Sequence, residues 1–383
     1  MNQPVMSRKQ FLQLAAGSAV GAALLHLPAL SFAAAPESAS RTLNPVNLRD
    51  LPRRAQDAAV ASPLVRRSYD AVLQISGSIK NEKLRSEVLK LIKDPTLTFL
   101  SRYTSSASVK NLYSALASEG LVDTAKIDAE HLLPPMDKPV QPFMTAPGSG
   151  YGSHHPYPGG LATHVDVNLH VTQALCGIYR EVFMYDADSD TAVAAQALHD
   201  IAKPYVFQWQ DDGSSLKEYP VAGQGAHHTI SLAEVIYRGF PAEEVIAQAC
   251  AHGAPSSPKE EETVCSWLRA AAMMAGKDPA EYGLTDRSGK AFPSAHRQEG
   301  YIVHLGDHDW VLSSPAAQKT VKDLKRIAQE DYGMSGSALD GAGFNAFRNY
   351  VGAQLSYMYL NSLEGQKDGY EKIRAEVARV VLK

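Results

Sequence analysis

Twelve of the thirteen histidines in this 383-residue chain lie between His131 and His308, and only His26 stands apart. Five segments there set a histidine or an aspartate in helix-forming sequence. They are Gly159-Gly160-Leu161-Ala162-Thr163-His164, Leu198-His199-Asp200-Ile201-Ala202-Lys203, His227-His228, Ala251-His252-Gly253 and His304-Leu305-Gly306-Asp307. A fold that buries such groups must pair them or give them a shared partner, because an uncompensated buried polar group is costly. Imidazole suits iron, manganese, nickel or zinc, and one carboxylate can bridge two such ions with a hydroxide between them. A buried dinuclear metal site is the reading that gathers these residues under one cause.

Helical periodicity dominates the rest of the chain. Val72, Ile75, Ile79, Leu84, Val88, Leu89 and Ile92 recur at helical spacing and give two helices between Leu64 and Asp94, with Asn81 as a cap and Pro95 as a stop. Another helix is expected at 108–118. The segment 132–160 is dense in proline and glycine and reads as a loop shaped around a site. Helices are expected at 162–183, 191–202, 228–238, 242–251 and 260–275, a polar excursion at 276–299, and further helices at 317–330, 343–362 and 367–381. Aromatic and β-branched runs at Tyr205–Trp209 and Ser215–Tyr219 flank Asp211-Asp212-Gly213-Ser214, which reads as a small β-hairpin.

The five segments, taken in order, resemble the HD-domain superfamily of metal-dependent phosphohydrolases, whose ligands follow the order His, His-Asp, His, His, Asp. His199-Asp200 followed by Lys203 is similar to the namesake dipeptide and its trailing lysine. Ser231, four residues after His227, selects His227 over His228 as the third ligand. The resemblance spans roughly residues 140–315 and departs from the common pattern at Ala202, where many relatives carry glycine. It implies an all-α fold: an HD-type helical core with extra N- and C-terminal helices and the hairpin as an insertion. The implied organisation is an arm and helices over 36–135, the metal-binding domain over 136–315 and C-terminal helices over 316–383.

The same resemblance implies the roles. His164, His199, Asp200 and Asp307 hold one divalent ion, and Asp200, His227 and His252 hold a second, with manganese or iron favoured over nickel, cobalt, zinc or magnesium. Asp200 is the bridge. Lys203, one turn beyond His199, either meets a phosphate oxygen or is a solvated lysine before Pro204. His154 and His155 sit on the entry loop, placed to bind substrate or donate a proton to a leaving group, or are ordinary loop residues. His228 is a hydrogen-bond partner of a ligand or an alternative ligand. His304 and His308 flank Asp307, and Trp209 and Tyr219 either wall a pocket or pack on their own domain.

Three functions compete: a hydrolase of phosphomonoesters or phosphodiesters, an HD-type diiron oxygenase acting on a small organic substrate, and a non-catalytic metal- or ligand-binding protein. Apolar content of 45% and charged content of 20% describe an ordinary globular chain. A net charge of -4 offers no footprint for nucleic acid, so the expected partner is a small, phosphorylated molecule. The first 35 residues read as a twin-arginine-like signal, Ser7-Arg8-Lys9-Gln10-Phe11-Leu12-Gln13 before a weakly apolar run, with cleavage near Ala33 to Ala35 and a periplasmic destination. Gly17, Gly21, His26 and Pro28 interrupt that run, so no stable span is expected after cleavage. Cys176, Cys250 and Cys265 make no disulfide framework and read as buried thiols, with a Cys250–Cys265 bridge the alternative.

Overall fold

The computed structural model describes residues 42–136, 139–294 and 298–383; the signal segment read at 1–35 lies outside them. The chain is mostly helical, as expected of an all-α fold, with strands only as pairs of residues. From Leu43 to Lys383 it forms one unit. Among the described residues, fourteen α-helices longer than one turn order it: α1 (Ala55–Val60), α2 (Pro63–Ser76), α3 (Glu82–Lys93), α4 (Ser106–Ser118), α5 (Gly160–Phe183), α6 (Ser189–Leu198) and α7 (Ala226–Arg238). Then come α8 (Ala242–Ala249), α9 (Pro258–Ala275), α10 (Gln298–Gly306), α11 (Trp310–Glu330), α12 (Ala342–Leu355), α13 (Tyr357–Glu364) and α14 (Gly369–Val380).

Local sequence explains most boundaries. Asn81 caps α3 by accepting the Leu84 amide, and Ser62 caps α2 in the same way. The expected helix at 343–362 is two helices, broken at Ser356, whose φ of 60° no helix interior accepts. Helix α5 begins after Gly159, which turns the proline-rich loop into the helix with φ of 83°. Its buried positions Leu161, His164, Val165, Asn168, Leu169, Thr172 and Cys176 follow the period of one helix face.

Helix α6 is the hub. Asp188 caps it, and every residue from Thr191 to Leu198 is buried. Alanines at 192, 194, 195 and 197 let α5, α8 and α10 pack close around it. His199 and Asp200 follow directly, so they emerge at the centre of the molecule. Helix α7 packs along α9 and ends at Gly239. One hydrophobic cluster spans the residues from Ala59 to Phe292, and a second joins Ala58 and Tyr157 to the C-terminal helices. A two-residue parallel pairing of Val46 with Val381 ties the beginning of the unit to its end.

The hairpin forms later in the chain than its sequence suggests. Lys203–Val206 is a helical turn, because the Ala202 carbonyl accepts the amides of both Tyr205 and Val206. Between the two expected strands only Trp209 and Ser215 pair. The antiparallel ladder sits at Pro220–Val221 and Gln224–Gly225, turned by Ala222 and Gly223, both at positive φ as a tight hairpin turn requires. The excursion at 276–299 contains one helical turn, Pro279–Tyr282, before α10 begins. All three cysteines are buried. No helix among the described residues is long and apolar enough to cross a membrane.

Candidate metal centre

Five elements deliver the site. His164 projects from the first turns of α5, His199 and Asp200 from the end of α6, and His227 from the start of α7. His252 follows α8, and Asp307 follows α10. All six side chains are buried or nearly so, with His252 the most open at 14% side-chain exposure.

The two carboxylates divide the histidines between them. Asp200 Oδ2 lies 3.2 Å from His164 Nε2 and 3.1 Å from His199 Nε2. Asp307 Oδ1 faces the same two nitrogens at 3.1 and 3.2 Å. The other oxygen of Asp200, Oδ1, faces His227 Nε2 at 3.4 Å and His252 Nε2 at 3.6 Å. Asp307 Oδ2 stands 3.5 Å from His252 Nε2. The geometry therefore brings all six expected residues together, with Asp200 between the two pairs.

The outer nitrogens are held. His164 donates from Nδ1 to Asp309 Oδ1 at 2.9 Å, His199 from Nδ1 to the Gln196 carbonyl at 2.7 Å, and His227 from Nδ1 to Glu218 Oε1. With Nδ1 protonated, each imidazole turns a lone pair on Nε2 inward, the arrangement that metal-ligating histidines adopt. Acceptor nitrogens then face acceptor oxygens. His199 Nε2 and both oxygens of Asp200 are buried without a well-directed hydrogen bond. A cation between them resolves that opposition, and the residues fit a metal on this ground.

Without a cation, protons must take its place. Burial alone would lower His199, but Asp200 and Asp307 push its imidazole up to about 9. Burial alone would raise the Asp200 carboxyl, but His199 and Lys203 hold it well below the usual carboxylate range. His252 is pushed down to about 4 by burial, so it stays neutral and ready to ligate near neutral pH.

Lys203 is 1% exposed and belongs to the site, not to a solvated helix end. Its ammonium lies 2.5 Å from Asp200 Oδ2, donates to the Gly148 carbonyl and approaches His154 Nε2 at 3.3 Å. The Asp200 contact is an ion pair, and the directed hydrogen bonds go to Gly148 and His154. His154 packs 4.9 Å from the His164 ring. His155, strained at φ of 43°, places Nε2 2.6 Å from Asp309 Oδ2 and Nδ1 3.1 Å from the Tyr157 hydroxyl. His304 and His308 are spent on main-chain carbonyls, of Cys250 and Ala251 and of His304 respectively. Trp209 is buried and donates its indole N–H to the Thr145 carbonyl, a packing role. Tyr219 packs against His131 with the rings tilted by 38° and their centroids 4.4 Å apart, beside a mainly apolar cavity of about 620 Å³ lined also by Leu132, Pro134, Val206 and Glu218.

Three groups escape a sequence reading. Asn168 donates to Asp307 Oδ1 at 2.8 Å, and its place one turn after His164 is a signal that helical spacing carries. Asp309 stands two residues beyond Asp307 and gives no motif of its own. Glu218 reaches His227 from an irregular segment, and nothing in the sequence announces it.

The described residues thus bring together buried clusters of histidine and aspartate that can hold a metal. No family model matches the chain, and no solved structure is significantly similar to it. Over 195 residues it is 27% identical to the dihydroneopterin 2',3'-cyclic phosphate phosphodiesterase of Methanocaldococcus jannaschii. That alignment covers 50% of this chain and 64% of the other protein, so the chain spans just under two thirds of its relative.

Proposed function

We propose that this chain is an HD-type, metal-dependent phosphohydrolase that cleaves a phosphodiester or phosphomonoester of a small molecule. His164, His199, Asp200 and Asp307 would hold one divalent ion, and Asp200, His227 and His252 a second. One observation carries the reading. The buried carboxylate of Asp200 turns Oδ2 to one pair of histidines and Oδ1 to the other, with neither oxygen satisfied by a directed hydrogen bond. Ions held there would polarise phosphoryl oxygens and bring a bound water toward a neutral pKa.

The chain's own residues supply the rest. Lys203 compensates the charge of Asp200, and its longest contact, to His154, is the one a substrate oxygen would replace. His154 is held neutral by burial, so it accepts from Lys203 in the resting site and orients the ammonium. The likeness to a cyclic phosphate phosphodiesterase supports a phosphodiester as the first substrate to try. The N-terminal signal reading puts this chemistry outside the cytoplasm, and N-terminal sequencing of the mature protein from a periplasmic fraction checks it.

The deciding experiment is metal analysis of the purified protein followed by a phosphoester screen with manganese and with ferrous iron. Metal-dependent release of phosphate or alcohol, abolished in Asp200→Ala, is expected. Iron-dependent oxygen uptake without phosphoester cleavage would instead select the oxygenase chemistry. Less than one metal per chain after reconstitution would sink both.

A further inference from the structure

We infer that His228 is itself a metal ligand, giving the Asp200 Oδ1 side of the centre three imidazoles instead of two. The inference rests on the metal-dependent reading above and adds a residue to it. His227, His228 and His252 each offer one nitrogen, and those three atoms lie within 4.8 Å of one another. Nitrogens sharing one ion at about 2.1 Å each lie no more than roughly 4.2 Å apart, so the three must draw together and the His228 ring must turn out of its stack before its in-plane lone pair reaches a common ion. The His228 ring lies flat on His252, with centroids 3.3 Å apart and planes within 10°, and meets His227 edge-on at 4.1 Å.

The second observation is chemical. His228 Nδ1 is buried and has no hydrogen-bond partner. His164, His199 and His227 all have Nδ1 anchored by a carboxylate or a carbonyl. A packing histidine on a helix satisfies its ring nitrogens or leaves them in water; Nδ1 of this one does neither. Trp267, edge-on at 6.2 Å, gives the ring a wall and no acceptor. An ion shared with His227 and His252 supplies the missing partner.

The donor sets of the two sides then differ. The Oδ2 side has two imidazoles and two carboxylates, and the Oδ1 side has three imidazoles and one carboxylate. Nitrogen-rich sites suit iron, cobalt, nickel and zinc, whereas oxygen-rich ones accept manganese and magnesium. The two ions should therefore bind as two classes, and loss of His228 should touch only one of them.

Titrating the metal-stripped full chain with Co(II), by calorimetry and by visible absorption, tests this. The wild type is expected to take two ions per chain. His228→Phe keeps a ring stacked on His252 but offers no ligand. It should leave one class unchanged, weaken the other by at least about 10-fold and alter the cobalt absorption of that class. Two wild-type affinities in His228→Phe would overturn the inference while leaving the proposed function standing. Less than one ion in the wild type would overturn the proposed function itself. Should His228→Phe fail to fold, His228→Gly titrated with free imidazole decides: recovery of the weakened class supports ligation, and no recovery overturns it.

Discussion

Asp309 Oδ1 lies 2.9 Å from His164 Nδ1, while Oδ2 of the same carboxylate lies 2.6 Å from His155 Nε2. One side chain thus fixes the tautomer of a candidate ligand and anchors the loop that covers it. His155 and His164 hold that carboxyl well below its usual range against the effect of burial. Asp309→Asn places an amide there that can present an N–H where His164 needs an acceptor. Metal affinity should fall about 10- to 100-fold with the helical content retained. Calorimetry on the stripped and reloaded variant checks this, and an unchanged affinity would show that Asp309 serves only the loop.

Lys203 and Asp200 make a buried charge pair at 2.5 Å. Removing one partner of such a pair costs about 3–5 kcal/mol, because the remaining charge is stranded. Lys203→Met should therefore destabilise the metal-free protein by that order. The loaded protein should lose much less, since cations beside Asp200 take over the compensation. Denaturant melts with and without metal measure the difference; equal losses in both states would argue against a cation at Asp200.

Gly306 precedes Asp307 where α10 meets α5 and α6. A Cβ at this position would stand 2.2 Å from Thr172 Oγ1 and 2.4 Å from Gln196 Oε1, two buried atoms hydrogen-bonded to each other. Gly306→Ala should cost about 1–3 kcal/mol through overpacking. Because the main-chain carbonyl of the same Gln196 accepts from His199, a shift of that residue should also weaken metal binding. A thermal melt paired with metal analysis reports both, and a variant that melts normally with full metal content contradicts the packing described.

Glu244 sits in the first turn of α8, fully buried, with neither carboxyl oxygen hydrogen-bonded, and burial pushes it up from 4.5 to about 8. The folded state keeps a proton that the unfolded state releases. Its favourable share is thus fully present below pH 4.5 and is lost as pH rises to about 8, an effect of ~5 kcal/mol at most. Glu244→Gln should remove this slope and gain on the wild type toward pH 8. Melts of both proteins from pH 5 to 8 test it; parallel curves would show that Glu244 is not carrying the proton.

Much of the site is legible in the chain because ligand chemistry demands particular side chains in helical settings. His164, His199, Asp200, His227, His252 and Asp307 were expected together, and the structure brings them together. The residues that orient them are a different matter. Glu218 and Asp309 act from segments whose course only tertiary packing decides, and for Lys203 the sequence leaves a phosphate contact and a solvated helix-end lysine both open until its burial beside Asp200 is known. The hairpin illustrates the same limit. Tyr205, Val206 and Phe207 favour strands by composition, yet the main-chain bonds to Ala202 and Lys203 draw them into a helical turn.

The centre also closes a circuit. His164 and Asp307 are 143 residues apart (307 minus 164), and an ion clasped by both turns that stretch of chain into a ring. Unlike a covalent cross-link, such an ion binds only the folded chain, so its binding free energy adds to the stability of the fold. Metal loading would then act as the fastening step of folding. A chain stripped of its ions should be cut by protease far sooner than its helices alone would suggest.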